Sequence, residues 1–289
     1  MSNTIELAKS FVPKLDECYR LASLTSVLDG APELAKQGAN ANELIIPMMS
    51  MDGLADYSRN GGYVQGGVTM TNETVKCNFD RGRRFDVDVM DDLETAGLAF
   101  SRLSAQFIRD KVVPELDAFR FASYCGISGV TKKEETLADG AATVAALSTA
   151  VTAMDDEEVT ATGRYLFITP TLLQGINDMD TTKSKKVLEG FEQVIKVPQR
   201  RFYTAIKQLS GKTGEEAGGY TKATGAANIN FAIVQKDALI QYTKHAAPKI
   251  IAPENNPDAD AYVFGYRMVG IAKAYKNMLS GMYFSHDKA

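Results

Sequence analysis

Residues 43–89 read ELIIPMMSMDGLADYSRNGGYVQGGVTMTNETVKCNFDRGRRFDVDV, and this stretch decides the fold. Two extended runs flank a polar, glycine-rich segment, Ser50 to Gly67, with Asn60-Gly61-Gly62 at its centre. On the returning run, a basic interruption is predicted before Phe85. Asn-Gly between two extended runs predicts a hairpin turn. Each arm of about a dozen residues would extend on the order of 40 Å at roughly 3.3 Å per residue.

The predicted hairpin needs a surface to lie on, because a two-stranded ribbon is at best marginally stable alone in water. Its own domain is one candidate surface, and a neighbouring subunit is the other. Long, glycine-tipped arms are more typical of proteins that assemble into shells than of enzymes. The hairpin therefore indicates an assembly function.

The rest of the chain predicts a helical start, a long helix, an α/β lobe and a set of terminal strands. Residues 4–28 are amphipathic and form either a core-facing helix or an arm that docks on a neighbour. Residues 91–125 carry a long helical apolar stripe, and Pro114 should bend or split that helix. Residues 130–238 alternate helical and buried strand patterns, which indicates an α/β lobe, and residues 210–228 are predicted to be a Gly- and Lys-rich loop. Shorter elements are predicted as a helix over Ala141–Met154, strands over Arg164–Ile168, Asn230–Val234 and Tyr262–Tyr275, and a last strand, Gly281–Ser285, that pairs back on Tyr262–Tyr275.

Composition excludes several classes of protein. Of 289 residues, 45% are hydrophobic and 24% are charged, which argues against a disordered chain. The net charge of −4 argues against a nucleic-acid-binding domain with a broad basic face. The longest apolar stretch, Ala141 to Met154, is shorter than the roughly 20 residues of a membrane span. Three separated cysteines predict neither a disulfide framework nor a zinc site.

Motifs for catalysis are scarce. The two histidines, His245 and His286, lie in no metal-binding or triad pattern. Gly211-Lys212-Thr213 resembles the end of a phosphate-binding loop, but Ile206 stands where that loop needs glycine. The acidic run at 155–158 lacks the spacing of a calcium loop. We therefore predict no catalytic residue, no metal, no cofactor and no enzymatic activity.

Two charged clusters are candidates for contacts between subunits. A basic cluster is predicted where the hairpin rejoins the body, and an acidic loop is predicted over 253–260, between two of the strands in residues 239–289. The alternative is that both clusters are solvated surface charges worth little. Together with the hairpin tip, the candidate interface residues are Tyr57, Arg59, Asn60, Arg81, Arg83, Arg84, Glu254, Asp258 and Asp260.

The order of these elements resembles the tailed-phage major capsid proteins of the Hong Kong 97 type, over nearly the whole chain. The stretches that carry the resemblance are 38–43 (GANANE), 51–63 (MDGLADYSRNGGY), 112–120 (VVPELDAFR) and 243–249 (TKHAAPK). They are similar to capsid proteins of phages and prophages of Gram-positive bacteria.

The resemblance implies an α+β capsid fold with a division of labour. Residues 1–42 would be the N-arm, 43–84 the extended loop, 85–129 the first part of the peripheral domain with its spine helix, 130–238 the axial domain, and 239–289 the second part of the peripheral domain. Copies of the chain would assemble as pentamers and hexamers into an icosahedral shell around double-stranded DNA. That shell would be built in the host cytoplasm and would end in the virion, with no membrane involved.

Two departures from the family refine the expected partners. The arm begins almost at Met1, so we expect a separate scaffolding protein, besides a portal and a decoration protein. Residues 44–75 contain no lysine, so we expect no covalent cross-linking through the extended loop. The alternatives are an encapsulin-type nanocompartment of the same fold and, from another class, a small-molecule enzyme on the α/β lobe.

Overall fold

A computed structural model of the chain describes residues 23–30, 36–37, 43–90 and 105–288. The predicted N-arm, 1–42, and the first half of the predicted long helix lie largely outside these residues. None of the helices in the described part is long and apolar enough to cross a membrane.

The predicted hairpin is confirmed as a sheet of three strands in the order β1, β2, β3. Strands β2 (Glu43–Met51) and β3 (Val68–Lys76) pair antiparallel over nine residues each, and the short β1 (Lys36–Gln37) pairs with β2. The loop between β2 and β3 is closed at its base, where Asp52 and Gly67 exchange hydrogen bonds. The long, thin shape follows from this continuous register.

A second sheet has three long strands in the order β11, β12, β4. Strand β4 spans Phe79–Asp88, β11 spans Leu239–Ile251 and β12 spans Ala261–Ala274. The sequence predicted a basic interruption before residue 85, and this is wrong, because β4 pairs with β12 without a break from Phe79 to Asp88. Arginine aliphatic stems are tolerated on a sheet face when their charged ends reach polar partners.

The long helix contains a widened turn. A π-helical turn, Ile108–Val112, leads into α1 (Val113–Gly126), and the Val113 N–H donates to the Ile108 carbonyl, one residue further back than in an α-helix. Pro114 follows at once, and it has no N–H to continue the regular ladder. The predicted bend at Pro114 is therefore taken up by a π turn, a common device inside helices. The residues of α1 that face the sheets are fully buried.

The third sheet has five strands in the order β5, β13, β10, β6, β7. One face of this sheet is covered by three helices, α2 (Gly140–Asp156), α3 (Pro170–Asp178) and α4 (Thr182–Glu189). The other face packs against α1. The central strands are buried along their whole length because both faces are covered. The strands are β5 (Thr131–Glu134), β6 (Arg164–Ile168), β7 (Gln193–Lys196), β10 (Ile229–Gln235) and β13 (Met282–His286).

Two features of this lobe differ from the sequence prediction. The last strand was predicted to pair back on Tyr262–Tyr275, which is wrong: β13 pairs with β10 and, in parallel, with β5. Every residue of β13 except His286 is buried. The five-stranded sheet therefore offers this strand far more apolar contact than an exposed edge would. The glycine-rich loop at 210–228 also contains a strand, because β9 (Tyr220–Lys222) pairs with β8 (Ile206–Gln208).

Candidate subunit interface

The outer half of the hairpin presents an apolar face to solvent. Met49 lies opposite Met70, and Met51 lies opposite Val68, so the four side chains share one face of the ribbon. Their exposed fractions lie between 59% and 68%. We call these four residues the methionine stripe. Grouped exposed apolar residues of this kind mark interaction surfaces, whereas scattered ones do not.

The base of the hairpin is anchored through its other face. Val75 is buried and packs with Ile240 and Ile271 of the long-strand sheet. Glu73 forms a 2.7 Å ion pair with Lys276. Residues 73 and 75 alternate with 68 and 70 along β3, so the methionine stripe lies on the face opposite to these anchors.

The tip of the hairpin is folded, although its side chains are exposed. Ser58 and Gly62 exchange two backbone hydrogen bonds, and Gly62 adopts a φ of 73°, which glycine accepts at no steric cost. Arg59 and Asn60 occupy the turn itself, as the sequence predicted. The rings of Tyr57 and Tyr63 contact each other with centroids 4.9 Å apart.

The basic cluster is divided between two faces of β4. Arg81 donates to the Glu115 carboxylate at 2.8 Å and to the Leu209 carbonyl at 2.7 Å, so it joins β4 to α1 and to the β8–β9 segment within one chain. Arg83 donates to the Glu216 carbonyl at 2.8 Å. These two arginines therefore have partners inside the chain.

Arg84 lies on the opposite, exposed face of β4. Its Nε donates to Asp86 at 2.8 Å, and that hydrogen bond, more than the weaker attraction of Asp258, raises the pKa of the guanidinium. The acidic loop thus approaches the basic cluster of its own chain. Glu254 lies in a 3-10 turn, Pro253–Asn255, and the Asp260 carbonyl accepts the Val89 N–H at 3.2 Å.

Similar folds are found among solved structures from phages and from a virus-like particle. The capsid structure of the cyanophage P-SCSP1u superposes with a TM-score of 0.54 at 12% identity, covering 87% of this chain and 85% of that chain. The Gordonia phage Cozz structure gives 0.60 at 10% identity, covering 93% and 87%. A virus-like particle from Pyrococcus furiosus gives 0.60 at 10% identity, covering 97% and 99%. Neither a family model nor a curated protein sequence matches the chain.

The chain has the capsid-protein fold. This confirms the fold class expected from the sequence, an α+β shell-protein architecture that spans almost the whole chain.

A buried polar junction holds the capsid fold together where three segments meet. The Asp117 carboxylate, fully buried on α1, accepts hydrogen bonds from the hydroxyls of Ser23 and Thr25 at 2.9 and 2.7 Å. It also forms a 3.2 Å ion pair with Arg201, which lies beyond β7. Buried Arg120 donates to Thr25 at 2.8 Å. Asp117 therefore fixes residues 23–30 against both α1 and the α/β lobe.

The loop that resembles a phosphate-binding motif is closed by its own carboxylates. Glu215 accepts a hydrogen bond from the Ser210 N–H at 2.7 Å and pairs with Lys207 at 2.6 Å. The hydrogen bond from Lys207 is the main reason why the pKa of Glu215 falls to about 2. Glu216 accepts from the Gly214 N–H at 2.8 Å. In the described parts of the chain, no cluster of three metal-ligating side chains occurs.

The sequence interpretation missed two groups of residues. The methionine stripe could have been predicted from the sequence, because Met49 and Met51 are two residues apart and would share a face of the predicted strand. The shared face of Arg81 and Arg83 could have been predicted in the same way, since both residues alternate in phase with Phe79 along the strand. The polar junction around Asp117 had no comparable signal in the sequence.

Proposed function

We propose that this chain is the major capsid protein of a tailed phage, a structural subunit of the Hong Kong 97 type rather than an enzyme. The observation that carries the proposal is the methionine stripe, an apolar face of the hairpin that its own chain leaves exposed, in a chain with the capsid-protein fold. Burial of such a face by a second copy stabilises an assembly, since methionine side chains adapt to varied surfaces.

The proposed division of labour follows the resemblance described above. Residues 43–84 act as the extended loop on a neighbour, 1–42 as the N-arm, 85–129 and 239–289 as the peripheral domain, and 130–238 as the axial domain. We adjust this division at one point. Strand β13, which falls within 239–289, is assigned to the axial domain because it pairs inside the sheet of that domain. Many weak, symmetric contacts then sum to a stable closed shell.

The charged candidates belong to this proposal as well. Arg84 and the exposed acidic residues Glu254 and Asp258 are proposed to pair between subunits where several copies meet. The tip residues Tyr57, Arg59 and Asn60 are proposed to touch a neighbour. Arg81 and Arg83 act there indirectly, since their guanidinium groups hold the β8–β9 segment of their own chain.

The proposed partners are other copies of the chain, a separate scaffolding protein, a portal and a decoration protein. Packaged double-stranded DNA fills the shell without sequence-specific binding, and the particle is built in the host cytoplasm without a membrane. The mature shell is held by noncovalent contacts, because the hairpin between residues 44 and 75 offers no lysine. Denaturing electrophoresis of purified shells should give a single band of subunit mass.

The decisive test is assembly of the expressed full chain, with and without its scaffolding protein, followed by sedimentation and electron microscopy. Wild-type protein should form closed particles. Met70→Asp should abolish them, because it places a charge in the methionine stripe. Thr71→Asp is the matched control, since it adds the same charge to the other face of the same strand and should assemble. Equal behaviour of the two variants, or a wild type that stays monomeric, would refute the proposal.

A second candidate function is that of an encapsulin-type compartment, which is built from the same fold. The similarity to a virus-like particle supports this candidate. The contents of particles purified from their natural source separate the two functions. Nuclease-protected DNA of uniform length is expected for the phage shell. A stoichiometric enzyme inside DNA-free particles would favour the compartment.

A further inference from the structure

A cleft of about 930 Å³ opens between β4, the π turn before α1 and the β8–β9 segment. Its volume lies near the upper end of the roughly 300–1,000 Å³ typical of ligand pockets. Six aromatic rings contribute to its lining: Phe79, Phe85, Phe107, Tyr203, Tyr220 and Tyr266.

The cleft carries an excess of positive charge. Its basic lining residues are Arg81, Arg83, Lys111, Arg200 and Lys222, whereas its acidic ones are Asp80, Asp110 and Glu115. Arg81 and Glu115 neutralise each other at 2.8 Å. The exposed basic side chains at the rim, Arg200 and Lys222 among them, therefore favour a partner that brings acidic groups.

The wall of the cleft is already in place in the single chain. Arg83 donates to the Glu216 carbonyl, and its guanidinium lies against Gly211 and Gly218, where a Cβ atom would come within 2.9 and 3.0 Å of Nη1. Arg81 holds the Leu209 carbonyl from the other side. A cleft held in this way binds a partner without first ordering its own loop.

The hairpin tip has the complementary properties. Tyr57 and Tyr63 form a ring pair that leaves them 60% and 90% exposed, and Leu54 is exposed completely. Between residues 52 and 67 the tip carries Asp52, Asp56 and one arginine, a net charge of −1. These exposed fractions also exclude occupation of the cleft by the tip of the same chain.

We propose that the cleft receives the hairpin tip of a second copy of the chain, with the tyrosine pair against the aromatic wall and Asp56 facing Arg200. The inference rests on the proposed shell function, to which it adds the acceptor site. Aromatic rings packed against each other gain stability beyond that of their buried area. Opposite charges at the rim then fix the register of the two copies.

Disulfide trapping tests the contact in assembled particles. The double variant Tyr63→Cys/Thr221→Cys places one thiol on the tip and one on the cleft rim of every copy. On oxidation, particles of the double variant should yield a ladder of covalent multimers in nonreducing gels. Each single variant controls for the native cysteines and should not.

Charge exchange supplies a second readout that tolerates small errors in position. Asp56→Lys should lower the yield of particles several-fold, and adding Arg200→Glu should restore it. Glu189→Lys on α4 is the matched control, an exposed acid outside the tip that should leave assembly unchanged.

The outcomes separate the two proposals. A covalent ladder, or rescue of Asp56→Lys by Arg200→Glu, supports docking of the tip in the cleft. Particles that give neither overturn the cleft as the acceptor while the shell function stands. A wild-type chain that forms no particles overturns both.

Discussion

Replacement of Asp117 by alanine should destabilise the subunit strongly. The carboxylate is fully buried and accepts hydrogen bonds from Ser23, Leu24 and Thr25, and it pairs with Arg201 at 3.2 Å. The Nε of Arg201 is buried without a hydrogen-bond partner. Alanine would therefore leave a buried cation with no counter-charge, in addition to the lost hydrogen bonds.

Removal of one member of a buried ion pair typically costs about 3–5 kcal/mol in the free energy of unfolding. At roughly 2–4 °C per kcal/mol, the Tm of the unassembled subunit should fall by about 6–20 °C. Thermal unfolding followed by circular dichroism measures this shift. Hydrogen exchange should also accelerate at the amides of Leu24 and Thr25, which donate to Asp117.

Asp110→Ala on the same helix is the control, because its ion pair with Arg109 is exposed and long, at 3.4 Å. Such surface pairs are worth about 0–1 kcal/mol, so its Tm should hardly change. If Asp117→Ala lost no more stability than Asp110→Ala, the polar junction would not hold the three segments together, and the reasoning would be refuted.

Two further predictions concern close packing and pH. Gly82→Ala should cost about 1–3 kcal/mol, since its Cβ would lie 2.8 Å from the Tyr266 carbonyl oxygen, whereas Gly265→Ala, with 3.7 Å to its nearest atom, should be tolerated; equal Tm values for both variants would contradict this. Glu215 has a pKa of about 2 in the folded chain, below its ordinary value of 4.5. Its contribution to the free energy of unfolding is therefore complete above pH 4.5 and is lost as the pH falls towards 2. The Ser210 amide shift in an NMR titration should follow that midpoint, and a midpoint near 4.5 would disprove the pairing with Lys207.

Strong local patterns made much of the fold predictable. The strand Arg164–Ile168 was predicted with its observed bounds, because a short apolar run between turn signals is typical of a buried strand. The helix predicted over Ala141–Met154 differs from the observed Gly140–Asp156 only at its ends. The hairpin followed from Asn60-Gly61 and the flanking extended runs.

Long-range choices were not predictable in the same way. Strands adjacent in sequence pair most often, so Gly281–Ser285 was expected on Tyr262–Tyr275, but burial between β5 and β10 offers more apolar contact. The junction around Asp117 joins side chains more than 80 residues apart in sequence, and no local pattern encodes such a contact. The cleft likewise exists only after β4 and the β8–β9 segment have met.

The position of β13 has a consequence for biosynthesis. In the five-stranded sheet it lies between β5 and β10, so β5 has no ladder to the other strands until Met282–His286 arrives. A ribosome that adds about 5–20 residues per second needs roughly 8–30 s to cover the roughly 150 residues between these two strands. During that interval the five-stranded sheet cannot be completed. A subunit that is still being synthesised therefore lacks part of the structure with which it would contact complete subunits. Order of synthesis would then act as a timer that delays engagement until translation of the lobe is complete.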